Sequence, residues 1–145
     1  GMTQRSLADI QFQTTLEGVT PAQLGGFFEG WPNPPTPETL WRILDRAAVF
    51  VLARTPDGQV IGFVNALSDG ILAASIPLLE VQAGWRSLGL GSELMRRVLT
   101  ELGDLYMVDL SCDDDVVPFY ERLGLKRANA MFLRRYDNQA GIPAE

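Results

Sequence analysis

The chain has 145 residues, enough for one domain with a real core. Hydrophobic residues make up 46% and charged residues 21%, the balance of a globular protein, and no apolar run approaches the roughly 18 residues of a membrane span. Lys and Arg number 12 against 18 Asp and Glu, a net charge of −6, which argues against nucleic acid as the partner because phosphate binding needs a basic face. One cysteine allows no internal disulfide. The absence of histidine removes Ser-His-Asp and Cys-His catalysis and the commonest zinc sites, so no metal is expected. Acid–base work falls to Asp, Glu, Tyr, Lys, Cys or water. No basic, apolar leader is visible, so cytoplasm is the expected location.

In chain order, "IQFQTT" (10–15) alternates and predicts a first strand. Thr20, Pro21 and Gln23 form a capping box that opens a helix weakened by Gly25 and Gly26. "GWPNPP" (30–35) is a loop. Thr36 and Pro37 open a second helix with Leu40, Trp41, Leu44 and Ala48 on one stripe. Two strands follow, 48–55 and 59–67, joined by the turn "PDGQ". A further strand spans 71–81. Pro77 inside it cannot donate to a ladder, so a bulge or a parting from a neighbouring strand is expected there. Leu90, Leu94, Met95, Val98, Leu99 and Leu102 give an amphipathic helix from about Gly89 to Gly103. "LYMVDL" (105–110) predicts a buried strand. "VVPFYERLG" (116–124) predicts a short helix with Val116, Phe119, Tyr120 and Leu123 on one face. "MFLRRY" (131–136) predicts a last strand, and 137–145 a loose tail. The order βααβββαβαβ describes a single α/β sheet domain with no linker, its ordered core about 8–136.

"RSLGLGS" (86–92) sits between a strand and a helix. The first N–H groups of a helix have no internal partner, and its dipole adds positive potential at that end. Glycines let a phosphate approach the backbone. Arg86, Ser87, Leu88, Gly89, Leu90, Gly91 and Ser92 would surround such a phosphate, unless Gly89 and Gly91 serve only a tight turn and close helix–sheet packing. A P-loop needs Lys and Ser or Thr after the glycines, and Gly-Ser-Glu stands here. A Rossmann fingerprint needs a third glycine where Leu94 stands, although Asp109 lies about 20 residues beyond Gly89 as a ribose-binding acid would. "LLEVQAG" (78–84) also echoes the first strand of a methyltransferase. Too little chain follows the glycines for either fold, which leaves a small Rossmann-like nucleotide-binding protein as an alternative.

"RSLGLG" matches the Arg/Gln-x-x-Gly-x-Gly/Ala signature of the GNAT superfamily of acyl-CoA-dependent N-acyltransferases through Arg86, Gly89 and Gly91. "LLEVQAGWR" resembles that family's strand end, with Ala83 where a proline is usual. "PFYERLGLKR" resembles its second marker, with Tyr120 and Gly124 matching and Leu125 in place of phenylalanine. The element order agrees over roughly 8–136. The resemblance implies an α/β (α+β) fold: a mixed, mostly antiparallel central sheet with helices on both faces and a splayed strand pair. It implies acetyl-CoA as cosubstrate. The pyrophosphate would lie on the N–H groups of 86–92, and the pantetheine arm between "LLEV" and "LYMVDL", pairing with backbone near Leu79 and Val81.

Transfer of an acetyl group to a primary amine by direct attack needs a neutral amine, an oxyanion donor and a protonated leaving thiol. Glu80, at the end of the parted strand, is the candidate base; it could equally be an exposed carboxylate or an anchor for a cationic substrate. The Val81 N–H is the candidate oxyanion donor. Tyr120 matches the family's tyrosine as acid, against plain core packing. Asp113 stands where many relatives carry an asparagine that contacts the pantetheine arm, or it caps the following helix with Asp114 and Asp115 beside it. Cys112 reads as a small core residue. By the resemblance the acceptor, a small-molecule or peptide amine, would meet Phe28, Glu29 and Trp31, with Phe27 and Trp41 nearby, unless Trp31 merely packs on the prolines. The alternative function is an acetyl-CoA-binding module without catalysis. Such a protein is expected as a monomer or homodimer, without nucleic-acid or membrane partners.

Overall fold

The computed structural model describes residues 5–145. Five strands form one sheet in the order β1-β2-β3-β4-β5, with β1 at Gln11–Gln13, β2 at Val49–Arg54, β3 at Val60–Ser68, β4 at Ala73–Val81 and β5 at Met107–Asp109. The first three pairings are antiparallel and β4–β5 is parallel. Helix α1 (Pro37–Arg46) covers one face; α2 (Leu90–Leu102) and α3 (Val117–Arg122) cover the other. This is the mixed, mostly antiparallel sheet expected. It excludes the Rossmann-like alternative, whose sheet is parallel.

Side chains of the central strands divide between two faces, by alternation except where the β2–β3 register slips beside Ile61. Val51, Ala53, Ile61 and Val64 join Leu90, Leu94, Met95 and Val98 of α2, whereas Phe50, Leu52, Val60 and Phe63 join Leu40 and Leu44 of α1. Both faces are buried, which is why β2 and β3 read as nearly continuous apolar runs. Gly62 lets α2 settle on the sheet: a Cβ there would stand 3.1 Å from Leu90 Cδ2 and Leu94 Cδ1.

The sheet opens between β4 and β5. Only Ala73–Ser75 pair with Met107–Asp109, so Ile76–Val81 have no strand on that side. On the other side the β3 register jumps from Leu67↔Ser75 to Asn65↔Leu78, an extra residue in β4 at Ile76–Pro77. Pro77 therefore sits in a bulge at the parting, where no ladder donor is lost. Asn65, the one buried polar residue among those described, accepts the Leu78 N–H through Oδ1 at 3.0 Å and repairs the ladder there.

Several expectations are corrected. The capping box forms, with Gln23 Oε1 accepting the Thr20 N–H at 2.7 Å, yet only a 3-10 turn follows at Pro21–Gln23. Gly25 and Gly26 supply too little helix propensity to extend it. Residues 131–136 form no strand, and Met131, Phe132 and Leu133 are exposed. With β4 on one side and no strand among the described residues on the other, β5 is an edge rather than a buried strand, and Tyr106 and Met107 face solvent. Residues beyond Tyr136 fold back instead of trailing: Gln139 Oε1 accepts the Asn33 N–H at 2.8 Å, and the Ile142 carbonyl accepts from Arg42 at 3.2 Å. Among the described residues no helix is long and apolar enough to cross a membrane.

Replacing Asn65 by Ala strands the Leu78 N–H at the bulge. Urea unfolding should show a loss of about 1–2 kcal/mol, and an unchanged midpoint would mean that the bulge stands without this side chain.

Candidate active site

Two structural features converge at the end of β4. The first is the run of free backbone donors. The Gln82 N–H donates to the Ile61 carbonyl and the Leu78 N–H to Asn65, so even-numbered residues beyond the bulge face β3. Strand alternation then turns the N–H and carbonyl groups of Leu79 and Val81 toward the gap beside β5. The Val81 carbonyl is taken by Arg86 Nε at 3.2 Å.

The second is the N-terminus of α2. Gly89 caps it at φ 85°, in the left-handed region, without any side-chain cap. The first intrahelical bond runs from the Glu93 N–H to the Gly89 carbonyl, which leaves the N–H groups of Leu90, Gly91 and Ser92 without helical partners. Ser87 is left-handed too, at φ 66°. Such residues bend successive N–H groups into a concave donor surface. A Cβ on Gly89 would meet nothing within 4 Å, so the space before the helix is open. Gly91 differs. Its Cβ position lies 3.5 Å from Phe119 Cζ, so it lets α3 rest against α2. Gly89 thus serves the turn itself and Gly91 the packing of α3 on α2. Leu90 itself is buried in the core and can contribute only its N–H. Leu88 and Ser87 are exposed.

The loop 25–31 is fastened at three points to the end of β4 and the turn that follows it. Gln82 Nε2 donates to the Gly25 carbonyl at 2.8 Å, the Phe28 N–H donates to Glu80 Oε1 at 2.8 Å, and Arg86 Nη2 pairs with Glu29 Oε2 at 3.2 Å. Phe28 holds φ 63°, unfavourable for a side-chain-bearing residue, and its bond to Glu80 helps secure it. Its ring, expected to face an acceptor, is buried instead between Trp31 (4.8 Å between centroids) and Phe63 (6.2 Å). Trp31 therefore packs on Phe28 and is half-buried. Glu29 is exposed. Burial pushes the Glu80 carboxyl above its ordinary value, opposed by the Phe28 N–H and the Arg86 charge.

Tyr120 lies on α3, in the segment after β5. Its ring packs edge-on against Phe119 at 4.9 Å and belongs to the α2-side core. It also lines a cleft of about 740 Å³ with Val108, Leu110, Cys112 and Leu125. Burial, and then the neighbouring Cys112, push the phenol up. Cys112, expected in the core, is exposed. Asp113 precedes a 3-10 turn at Asp114–Val116 without a side-chain cap bond, and Asp114 pairs with Arg127 at 3.0 Å. The structure therefore gathers Leu79–Val81, Arg86–Ser92, Glu29 and Phe28 at one end of β4. Tyr120 and Asp113 stand on the segment beyond β5. The sequence alone does not single out Asn65 or Gln82. A polar residue inside the apolar run "VIGFVNAL" was the available signal for Asn65, whereas nothing in the sequence pairs Gln82 with Gly25.

Comparison with known proteins decides the family. The acetyltransferase (GNAT) family profile matches residues 16–125. The chain belongs to the GNAT acetyltransferase family. An uncharacterized N-acetyltransferase, ycf52, of Pyropia yezoensis is 25% identical over 99 residues, covering 66% of this chain and 57% of that protein. The chain thus spans little more than half the length of that relative. A GNAT-family acetyltransferase from Streptococcus pneumoniae superposes with a TM-score of 0.66 at 25% identity, covering 87% of this chain and 98% of the other. A GNAT-family protein from Xanthomonas campestris shares the fold with a TM-score of 0.72 at 18% identity, covering 90% and 96%.

Gly89→Ala places a Cβ on a left-handed residue with free space around it, so its cost is conformational. Urea unfolding should show about 1–2 kcal/mol lost. A neutral substitution would mean that the GNAT turn relaxes to an ordinary φ.

Proposed function

We propose that this GNAT protein is an N-acetyltransferase, a single catalytic domain that moves an acetyl group from acetyl-CoA to a primary amine of a small-molecule or peptide acceptor by direct attack. The observation that carries the reading is the parting of β4 from β5, with the Leu79 and Val81 backbone donors turned into the gap near the N-terminus of α2, which no side chain caps. Those features fit the cosubstrate's two halves. Free N–H groups at 90–92, a left-handed Gly89 with open space and the Arg86 cation suit a pyrophosphate. An unpaired strand edge suits an amide-bearing arm. Asp113, beyond β5, is the residue proposed to meet that arm from the other side.

Acetyl-CoA supplies a thioester whose carbonyl carbon the amine attacks. Glu80 takes the amine proton at its carboxylate; Oε1 already accepts from Phe28, so Oε2 is the free oxygen. The Val81 N–H steadies the oxygen that gains charge. Tyr120 gives its hydroxyl proton to the departing sulfur, and the raised phenol keeps that proton in place at neutral pH. Glu29, held near by Arg86, would attract a cationic acceptor, with Trp31 and the Phe28 backbone shaping the loop beside it. The exposed, unpaired Cys112 suits the reducing cytoplasm.

Thermal unfolding with acetyl-CoA should show stabilisation that NADH and S-adenosylmethionine do not produce. Tyr120→Phe should keep that shift and lose turnover by about 10²-fold or more. Full turnover in the variant removes the acid from the mechanism, and an absent shift removes acetyl-CoA.

Glu80→Gln keeps an acceptor for the Phe28 N–H but not a base. Because burial raises this carboxyl, kcat/KM should climb with pH through a limb above the ordinary value of about 4.3, as the carboxylate forms. The Gln variant should lose that limb and retain only the rise set by the amine itself. An unchanged profile would reduce Glu80 to a fastener of the loop.

A further inference from the structure

A carboxamide has two ends, and the fold uses one end of Asn65. Oδ1 accepts the Leu78 N–H at 3.0 Å, which fixes which end of the group is oxygen. The other end, Nδ2, carries two N–H donors and meets no acceptor among the described residues. A donor sealed in a core without a partner is costly, and every enclosed side-chain nitrogen or oxygen among the described residues is paired. Nδ2 therefore opens on accessible space, although the residue as a whole is 2% exposed.

That opening lies on the face of the sheet that carries the proposed base. Asn65 stands opposite Phe50 on β2 and Leu78 on β4, and both pack in the α1-side core. The neighbouring row pairs Phe63 with Glu80 on the same face. Phe63 is fully buried there, with Phe27 edge-on at 5.0 Å between centroids. The row on the other side holds Leu67, which is 49% exposed, opposite the exposed Ser75. Asn65 thus marks the border of the α1-side core, one row from Glu80. The two are diagonal neighbours across β3 and β4, a relation that places Cα atoms about 7–8 Å apart. Side chains of that length on one face can converge on neighbouring atoms of one small molecule.

The two groups ask for different atoms. Glu80 Oε2 is free to accept from an amine nitrogen. Nδ2 only donates, so it cannot take the amine proton and complements an oxygen instead. We propose that Asn65 is a specificity-determining residue for the acceptor. Its Nδ2 donates to a carbonyl or hydroxyl oxygen on the carbon next to the one that bears the reacting amine, selecting α-amino amides and vicinal amino alcohols over plain alkylamines. This names the acceptor class and rests on the acetyltransferase reading.

Initial rates with acetyl-CoA on matched amines test it. Phenylalaninamide is compared with phenethylamine for the carbonyl, and 2-aminoethanol with propylamine for the hydroxyl, each kcat/KM referred to the neutral amine. The oxygen-bearing member of at least one pair should be favoured at least about tenfold. Asn65→Ala removes the donor and should bring that ratio close to one. Asn65→Asp, assayed in alkaline buffer where the new carboxyl is ionised, keeps an acceptor for the Leu78 N–H and should lose the preference too. General damage to the fold lowers both members of a pair alike and leaves their ratio. Equal rates within both pairs in the unaltered protein overturn the proposal, as does a preference that survives in Asn65→Ala. A preference lost in Asn65→Ala but kept in Asn65→Asp traces it to the bulge and overturns the proposal as well. Turnover of no amine at all removes the acetyltransferase reading and this inference with it, whereas turnover without preference removes this inference alone.

Discussion

The separation of β4 from β5 beyond Ser75 is the constraint on which the rest of the molecule depends. A sheet normally consumes its backbone donors and acceptors, and leaving them unpaired inside a fold is costly. Here the interruption is built in on both sides of β4. Pro77 removes a donor at the branch, the bulge at Ile76–Pro77 shifts the strand's parity, and the Asn65 side chain takes the place of the missing ladder partner toward β3. The strand therefore stays in the sheet on one side and is available on the other. With a regular β4 pairing along its length, the Leu79 and Val81 donors would be spent on β5.

The parted strand also holds the loop that precedes α1. Glu80 at the strand end, with Gln82 and Arg86 just beyond it, reaches the loop at Phe28, Gly25 and Glu29 respectively. The Arg86–Glu29 pair is exposed at both ends and adds little stability by itself. The half-buried bond from the Phe28 N–H to Glu80 matters more, because it accompanies a strained φ and a ring locked in the core. Since Arg86 belongs to the turn before α2, its bond to the Val81 carbonyl and its ion pair with Glu29 link strand end, turn and loop in one cluster.

How far the sequence discloses this arrangement depends on the range of the interactions. Features set by neighbours are legible: the stripe of α2 with its flanking glycines, the hairpin of β2 and β3, and the disturbance at Pro77. The division of labour between Gly89 and Gly91 is not, because it depends on Phe119 arriving from another helix. Phe28 looks like an acceptor contact in the sequence and becomes a core residue, since its left-handed backbone turns the ring inward toward Phe63. Residues 131–136 carry strand composition without strand structure, because composition cannot supply the partner edge. Cys112 is exposed for the same reason: among the described residues no further strand pairs with β5 to cover it. The tail is fixed by contacts to Asn33 and Arg42 from distant sequence, which a run of small and polar residues does not announce.

The bulge has a consequence for proton traffic. Beyond it the β4 side chains alternate so that Leu78 packs with the α1-side core and Leu79 and Val81 with the α2 side. Glu80 shares the face of Leu78 and meets the loop at Phe28; Tyr120 belongs to the α2-side core. The proposed base and acid therefore approach the gap from opposite faces of the sheet. Direct transfer needs that separation, because the amine loses its proton on one side of the carbonyl carbon while the sulfur gains one on the other. Burial raises both groups, with opposite consequences for the proposed roles. It makes the Glu80 carboxylate a stronger base, whereas it leaves the Tyr120 phenol protonated but a weaker acid toward a thiolate.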